Sequence, residues 1–299
     1  MNKPIARSAC PGAAAALLAA ILPAAPALAD GMPTRGRAAA QQQPQPEQRA
    51  CALSANAALT TDYIFRGFSQ TAEGPAVQGG FDAACSRLYG LYAGVWASSL
   101  DFAGGHGGTL SIDTLYDASV EMDWYAGIKP KTGPVSWDLG VIYYSYPDAL
   151  DRSLGFGHRS LNYVELKVGA SAEVWKDGTL GLTAFYSPDY QLESGRTWTF
   201  EAGFVQAFSP VWMVTPSISA LGGFQTNRGT ASYRFTYGNG EDQYFYWNAG
   251  LTLGFLEKWS LDLRYWDTDL SNAGHFCDGD VTGTFQCDTR FVATLKFTY

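Results

Sequence analysis

Beyond its first thirty residues the chain contains no uninterrupted apolar run near the ~20 residues that a membrane helix requires. A helical membrane protein is excluded, and any span must be made by strands closed into a barrel. Basic residues are scarce: 20 Lys and Arg stand against 28 Asp and Glu, a formal net charge of −8. Phosphate binding depends on clustered Lys and Arg, so no nucleic-acid partner is expected. Histidine is scarcer still. The three present, His106, His158 and His275, fall in long polar stretches, where a solvated histidine is the ordinary case and a metal site the rarer one. Gly-x-Ser-x-Gly, His-Glu-x-x-His and Cys-x-x-Cys spacings are all missing, and hydrolysis in a barrel wall would need a serine and a histidine in contact. The chain is therefore expected to have no enzymatic activity, no cofactor and no metal.

What is present begins with Lys3 and Arg7, followed by an apolar run from Ala13 to Leu28 that ends in Ala27-Leu28-Ala29. This is the pattern of a secretory signal cleaved after Ala29, and Pro23 and Pro26 argue against a membrane anchor. Residues 1–29 are thus expected to be a signal peptide. Residues 30–50, rich in Gln, Pro and Ala, are expected to form a disordered periplasmic leader. The remainder, 51–299, suits one all-β domain. Cys10 would leave with the signal, and the four other cysteines then face an oxidising compartment, where three pairings are open to them.

Within 51–299 apolar and polar residues alternate at period two, and helical spacing is nowhere sustained. About twelve strand-like runs are read, roughly 55–66, 75–85, 89–99, 118–129, 134–146, 161–174, 178–187, 196–208, 211–221, 243–255, 258–267 and 288–299. The connections at 86–88, 130–133, 175–178, 209–210 and 256–257 are tight, and most of the others are long and polar. Short-long alternation marks an up-and-down transmembrane barrel, with an even strand count placing both termini on the tight-turn, periplasmic side. A soluble sandwich would alternate too, but a lipid-facing wall must in addition exclude charge, because Lys or Arg at the midplane costs ~2 to 4 kcal/mol. One face does exclude it: Val120, Met122, Trp124, Ala126 and Ile128, then Val164, Leu166, Val168 and Ala170, then Trp247, Ala249, Leu251 and Leu253, then Leu261 and Leu263. Arg in place of Leu166 or Leu251 is accordingly expected to hinder membrane folding, whereas Arg in place of Asn248, on the polar face, is not.

Aromatic residues fall where interfacial girdles belong. Tyr89, Trp175, Trp212, Trp259 and Tyr299 lie beside the tight turns, and Tyr63, Tyr143, Tyr186, Trp198 and Tyr265 toward the long loops. The chain ends Phe291, Ala293, Leu295, Phe297, Tyr299 in strict alternation, like the terminal signal read by the outer-membrane assembly machinery. Pro216 lacks the donor that a doubly paired strand uses, so a bulge is expected there.

Residues 59–81 read LTTDYIFRGFSQTAEGPAVQGGF, and 91–102 read LYAGVWASSLDF. Further on come YYSYPDA at 143–149, NYVELKVGAS at 162–171, FYSPDY at 185–190 and YWDTDL at 265–270. In this order the segments resemble the proteobacterial Gcw_chp family, also called TorF-type porins, across nearly the whole domain. The resemblance implies an outer-membrane barrel and supplies no catalytic residues.

The polar face provides the candidate pore lining: Asp62, Asp82, Glu121, Asp123, Asp138, Glu165, Lys167, Glu201, Asp262, Arg264 and Lys296. With Glu173, Arg66 and Arg290 added, nine acids face five bases, an excess that favours cations or neutral solutes in an open lumen. Glu165 with Lys167, and Asp262 with Arg264, are expected partners. About twelve strands give a lumen between side-chain-filled and water-filled barrels. Two functions are therefore in view, a narrow porin-like diffusion channel and a non-conducting structural or surface-interaction barrel. The expected partners are outer-membrane lipid and lipopolysaccharide, the assembly machinery, and small solutes. Asp278 and Asp280, near Asp267 and Asp269, offer oxygen ligands for a divalent ion but read more simply as a solvated acidic loop. Tyr233, Phe235, Tyr237, Tyr244 and Tyr246 suit an interfacial rim or, alternatively, an entrance for a sugar-like solute. Within the barrel frame two disulfides are expected. One joins Cys51 to Cys85 and centres the first hairpin near Phe68, and the other, Cys277 to Cys287, staples the last long loop.

Overall fold

In the computed structural model, which describes residues 51–101, 118–147, 149, 160–228, 243–270 and 287–299, the alternating runs become twelve strands of one closed sheet. They are β1 (Ala52–Thr60), β2 (Ala76–Cys85), β3 (Leu91–Ser99), β4 (Val120–Ile128), β5 (Val135–Ser145) and β6 (Tyr163–Trp175). The second half comprises β7 (Gly178–Ser187), β8 (Arg196–Ala207), β9 (Val214–Arg228), β10 (Gln243–Phe255), β11 (Trp259–Thr268) and β12 (Arg290–Thr298). Each strand pairs antiparallel with its sequence neighbours. The wall closes where β1 meets β12, with Asn56 opposite Thr298 and Thr60 opposite Thr294. Closure matters physically because it leaves no sheet edge with unpaired backbone groups inside hydrocarbon. Cys51 and Tyr299 lie at the same end, where Tyr299 N donates to Ala55 O at 2.9 Å. The signal-peptide and leader assignments, 1–29 and 30–50, fall outside the described residues.

The first hairpin has the expected register, with Ala52 opposite Ala84, and Cys51 and Cys85 are joined in a disulfide across it. Closing a loop of 34 residues in the denatured chain corresponds to about 3–4 kcal/mol in the chain-entropy account. Replacing both cysteines with serine is therefore expected to lower the urea midpoint of the refolded barrel while its strand content, read by circular dichroism, stays the same. Cys287 is also disulfide-bonded, and Cys277 lies outside the described residues.

Phasing follows the pleat. Outward positions carry Leu59, Val77, Phe81, Trp124, Leu166, Val168, Leu182, Phe200, Ile218, Trp247, Leu251, Leu263 and Leu295, all exposed and all apolar. Charge on the outward rows is confined to strand ends, at Arg196, Arg228 and Asp267. Tyr89, Trp175, Trp212, Trp259 and Tyr299 are exposed at the tight-turn end, and Tyr143 and Trp198 at the other.

Three expectations are corrected. No register shift accompanies Pro216, which pairs directly with Leu253. Its carbonyl accepts from Phe208 N just past the last β8–β9 pair, Ala207 with Ser217, so its missing donor also faces the point where that ladder stops. The irregularity lies instead at Gly178/Thr179 in the β6–β7 pairing. The first strand ends at Thr60 and not at residue 66, because the chain leaves the wall there. Tyr63 consequently belongs to no girdle and is 3% exposed.

Candidate functional site

The segment 61–75 joins β1 to β2 and turns into the barrel. Its backbone bonds are satisfied locally, as burial demands. Gln70 N donates to Tyr63 O at 2.7 Å, and Asp62 gathers the hydroxyls of Ser69 at 2.7 Å and Thr71 at 3.0 Å. Ile64–Phe65 pairs with Phe68–Ser69 around a two-residue turn whose central residues, Arg66 and Gly67, have φ of 49° and 87°. Two successive positive φ values suit a hairpin of type I′, which tolerates Gly readily and Arg only when something holds it there.

The lumen holds it. Both terminal nitrogens of Arg66 donate to Glu165 on β6, each at 2.8 Å, and one also reaches Gln225 on β9 at 3.2 Å. The guanidinium sits 4.9 Å from the ring centres of both Phe65 and Phe185. Tyr244 on β10 donates to Arg66 O at 3.0 Å, and Tyr63 donates to Glu121 on β4 at 2.6 Å. Arg290 on β12 closes the circle onto Asp62 at 2.7 Å. The segment is thus tied to β4, β6, β9, β10 and β12 and spans the bore. Glu165 pairs with Arg66 and not with Lys167, which takes Asp138 at 2.9 Å. The expected Asp262–Arg264 pair is present at 2.9 Å.

These ties divide the interior. On the β3–β6 side Tyr63, Trp96, Tyr125, Tyr144, Tyr146 and Tyr163 pack into one buried cluster, with Tyr144 and Tyr163 stacked at 4.3 Å. Phenols cap the acids: Tyr125 donates to Asp82 at 2.5 Å, Tyr92 to Asp138 at 2.6 Å, and Tyr146 to Glu121 at 2.7 Å. Burial, reinforced by Glu121, raises the Tyr146 phenol well above its ordinary value, so it remains a neutral donor. Inward glycines make room for these rings. A side chain at Gly94 would strike Tyr125, and one at Gly223 would strike Tyr246, whose hydroxyl donates to Glu201 at 2.6 Å. Tyr244 and Tyr246 therefore fill the bore and form no rim; Tyr233, Phe235 and Tyr237 lie outside the described residues.

On the opposite side a cavity of about 140 Å³ runs between β1, β12, β11, β10 and β9. Thr60, Asn248, Asp262, Arg264, Thr294 and Lys296 are among its lining residues. Of the eleven candidates, Asp62, Asp262, Arg264 and Lys296 border this cavity, while Glu121, Asp123, Glu165 and Glu201 are buried away from it and Asp82, Asp138 and Lys167 lie among the capping phenols and lysines. The uncharged members, Asn56, Ser219 and Asn248, escaped a reading that counted charges. Their inward parity was legible. Asn248 is also no place for an extra arginine, because its Oδ1 already accepts from Arg264 at 2.6 Å; the expected tolerance of Arg there is withdrawn.

His106, His158, His275, Asp278 and Asp280 lie outside the described residues. Asp269 accepts from Phe245 N at 2.8 Å, and Asp267 from Thr268 N and Thr289, so both are engaged within the protein. Among the described residues no group of three or more His, Cys, Asp or Glu is placed to hold a metal ion.

A closed wall with an apolar exterior and a polar, segment-crossed interior defines a membrane-spanning β-barrel. The chain belongs to the Gcw_chp family, described as a bacterial protein of unknown function, whose profile matches residues 45–299. Among solved structures it is similar to the NanC porin (10% identity, TM-score 0.46, covering 83% of this chain and 98% of that one). It is also similar to the KdgM porin (9% identity, TM-score 0.47, 82% and 99% covered). A third likeness is to the COG4313 outer membrane channel from Pseudomonas putida F1 (10% identity, TM-score 0.43, 86% and 99% covered). No curated protein matches the chain in sequence.

Proposed function

We propose that this protein is a porin-like channel of the outer membrane, narrowed by the segment 61–75, through which small polar solutes diffuse passively and without catalysis. The observation that supports it most is the cavity that persists beside the anchored segment, with Thr60, Asp262, Arg264, Thr294 and Lys296 among its lining residues. Lipid and lipopolysaccharide contact the apolar belt in this reading, the assembly machinery inserts the barrel, and the TorF-type resemblance implies the same porin class. The acid excess of the interior lies mainly in the filled half. Around the cavity Asp62 and Asp262 are matched by Arg264 and Lys296, which narrows the expected preference toward neutral solutes. A second reading, a non-conducting structural barrel, is favoured by the aromatic packing of the β3–β6 half. Single-channel recording of the refolded full chain in a planar bilayer separates the two. Small steps with a reversal potential near zero in a KCl gradient are expected; a silent bilayer leaves the structural barrel, and a strongly anion-selective sign overturns the charge assignment.

A further inference from the structure

Two arginines stand opposite each other at the long-loop ends of β8 and β9. The register pairs Arg196 with Arg228, and directly opposed residues share a face of the sheet, here the outer one. Like charges at opposed positions are unfavourable unless an anion comes between them. Arg196 is exposed, and among the described residues its guanidinium makes no hydrogen bond or ion pair. Asp189, across the β7–β8 connection, accepts from Gly195 N at 3.0 Å instead. Next along the outer row, Trp198 lies against Tyr186 at 4.6 Å and stacks with Phe200 at 6.0 Å. Exposed Trp and Tyr mark the membrane interface, so position 196 stands at headgroup level.

Toward the middle of the membrane the same wall is indented. A groove of about 530 Å³ crosses β7–β10, with Leu182, Phe200, Ala202, Gly222, Phe224 and Phe245 among its lining residues. The registers place these on two adjoining outward rows. Phe200, Phe224 and Phe245 are cross-strand partners on the row nearer the long loops. Ala202 and Gly222 are partners on the next row, set between Leu182 and Trp247. Nothing inside the protein asks for glycine at 222. Its φ is not positive, and a side chain added there would meet no atom of the chain within 4 Å, although glycine weakens a strand relative to alanine. Gly223 beside it is bare because Tyr246 fills the space inside; the bareness of Gly222 opens the outer wall instead.

Head and groove are spaced for one lipid. The positions from Arg196 to Ala202 cover about 20 Å along a strand. At the usual ~40° tilt this is about 15 Å of depth, one leaflet of a ~30 Å hydrocarbon core. Any acyl chain could fill the groove, but opposed arginines match in addition a phosphate, which guanidinium groups bind through paired charge-assisted hydrogen bonds. At the long-loop end the leaflet concerned is the outer one, whose lipid is lipopolysaccharide.

We propose that the outer wall of β7–β10 is a binding site for one lipopolysaccharide molecule, with a lipid A phosphate at Arg196 and the opposed position 228 and an acyl chain over Ala202 and Gly222. The site rests on the outer-membrane reading with the long loops outward and does not require that the lumen conduct. Native mass spectrometry of the full chain refolded in detergent, titrated with bisphosphorylated lipid A, tests it. A one-to-one complex is expected, about tenfold tighter than that with phosphatidylethanolamine, the factor carried by a charge-assisted contact. The double variant Arg196→Gln with Arg228→Gln, and separately Gly222→Leu, are each expected to weaken the complex by about the same factor or more. Ala57→Leu, on the outer face of β1, should leave it intact, and strand content by circular dichroism should be unchanged in all. Absence of a one-to-one complex, equal retention of phosphatidylethanolamine, or undiminished binding in either variant would overturn the site. Should the arginine variant fail to fold, Gly222→Leu and the lipid preference decide it, because the leucine enters open space. A failure here leaves the expected bilayer conductance untouched, so the site and the channel reading stand or fall separately.

Discussion

Glu165→Gln is expected to destabilise the folded barrel by about 3–5 kcal/mol in urea titrations in lipid vesicles, the usual effect of removing one partner from a buried ion pair. Arg66 and Glu165 are 0% and 1% exposed, so the stranded guanidinium has no water to turn to. Arg66→Met should be destabilising as well, since it strands the carboxylate instead. The double variant should be less unstable than the two single effects added together, and the coupling so measured isolates the pair from its surroundings. Strict additivity would mean that the segment is held by Tyr63, Tyr244 and Arg290 without help from the pair. A second readout concerns the bore. In the channel reading, a segment released from β6 and β9 no longer narrows the lumen, and the unit conductance of Glu165→Gln should rise severalfold. An unchanged conductance, with the stability effect confirmed, would place the narrowing elsewhere.

Leu166→Arg and Leu251→Arg are expected to lower membrane-folded stability by about 2–4 kcal/mol each. Both side chains are exposed on the outer wall; Leu166 pairs with Val141 and Tyr186 on its flanking strands, and Leu251 with Ile218 and Leu263. An arginine there must carry its charge into hydrocarbon or bend toward the interface. The inward control is Ser171→Arg, on the same row as Lys167 and Glu173 near the tight-turn end of β6, where water and an acid are close. Its stability should move by less than about 1 kcal/mol, in the range of ordinary surface changes. Comparable losses at Leu166 and Ser171 would mean that the two faces have been assigned the wrong way round.

The wall was legible because its physics is local. Leu166 and Val168 outside with Glu165 and Lys167 inside is a period-two pattern that only a strand can satisfy, and the tight turns are marked by their own short spacing. Cys51 and Cys85 followed from the same arithmetic once a hairpin was granted. Residues 61–66 were read as strand for the same local reason: Thr60, Asp62 and Arg66 continue the inward polar row of β1 with Ile64 as its one apolar member, so periodicity alone extends the strand. The consecutive Arg66-Gly67 turn and the Ser69 and Thr71 hydroxyls near Asp62 were the available signals, and they are weak without the partners that make them matter. Pro216 erred in the other direction, since its effect depends on where the neighbouring ladder ends.

By itself the sequence determined a closed, all-β wall with a charge-free exterior and the register of its first hairpin, because parity, turn length and the expense of charge in lipid act over a few residues at a time. Only the tertiary structure decided that Arg66 meets Glu165, that tyrosines cap the acids of one half, and that Asn56, Asn248 and Lys296 share a cavity in the other. Those residues are separated by 99 positions in the first case and by most of the barrel in the last. Which side chains meet across a lumen depends on strand number, stagger and the path of one inward segment, and none of these is written in the spacing of any single strand.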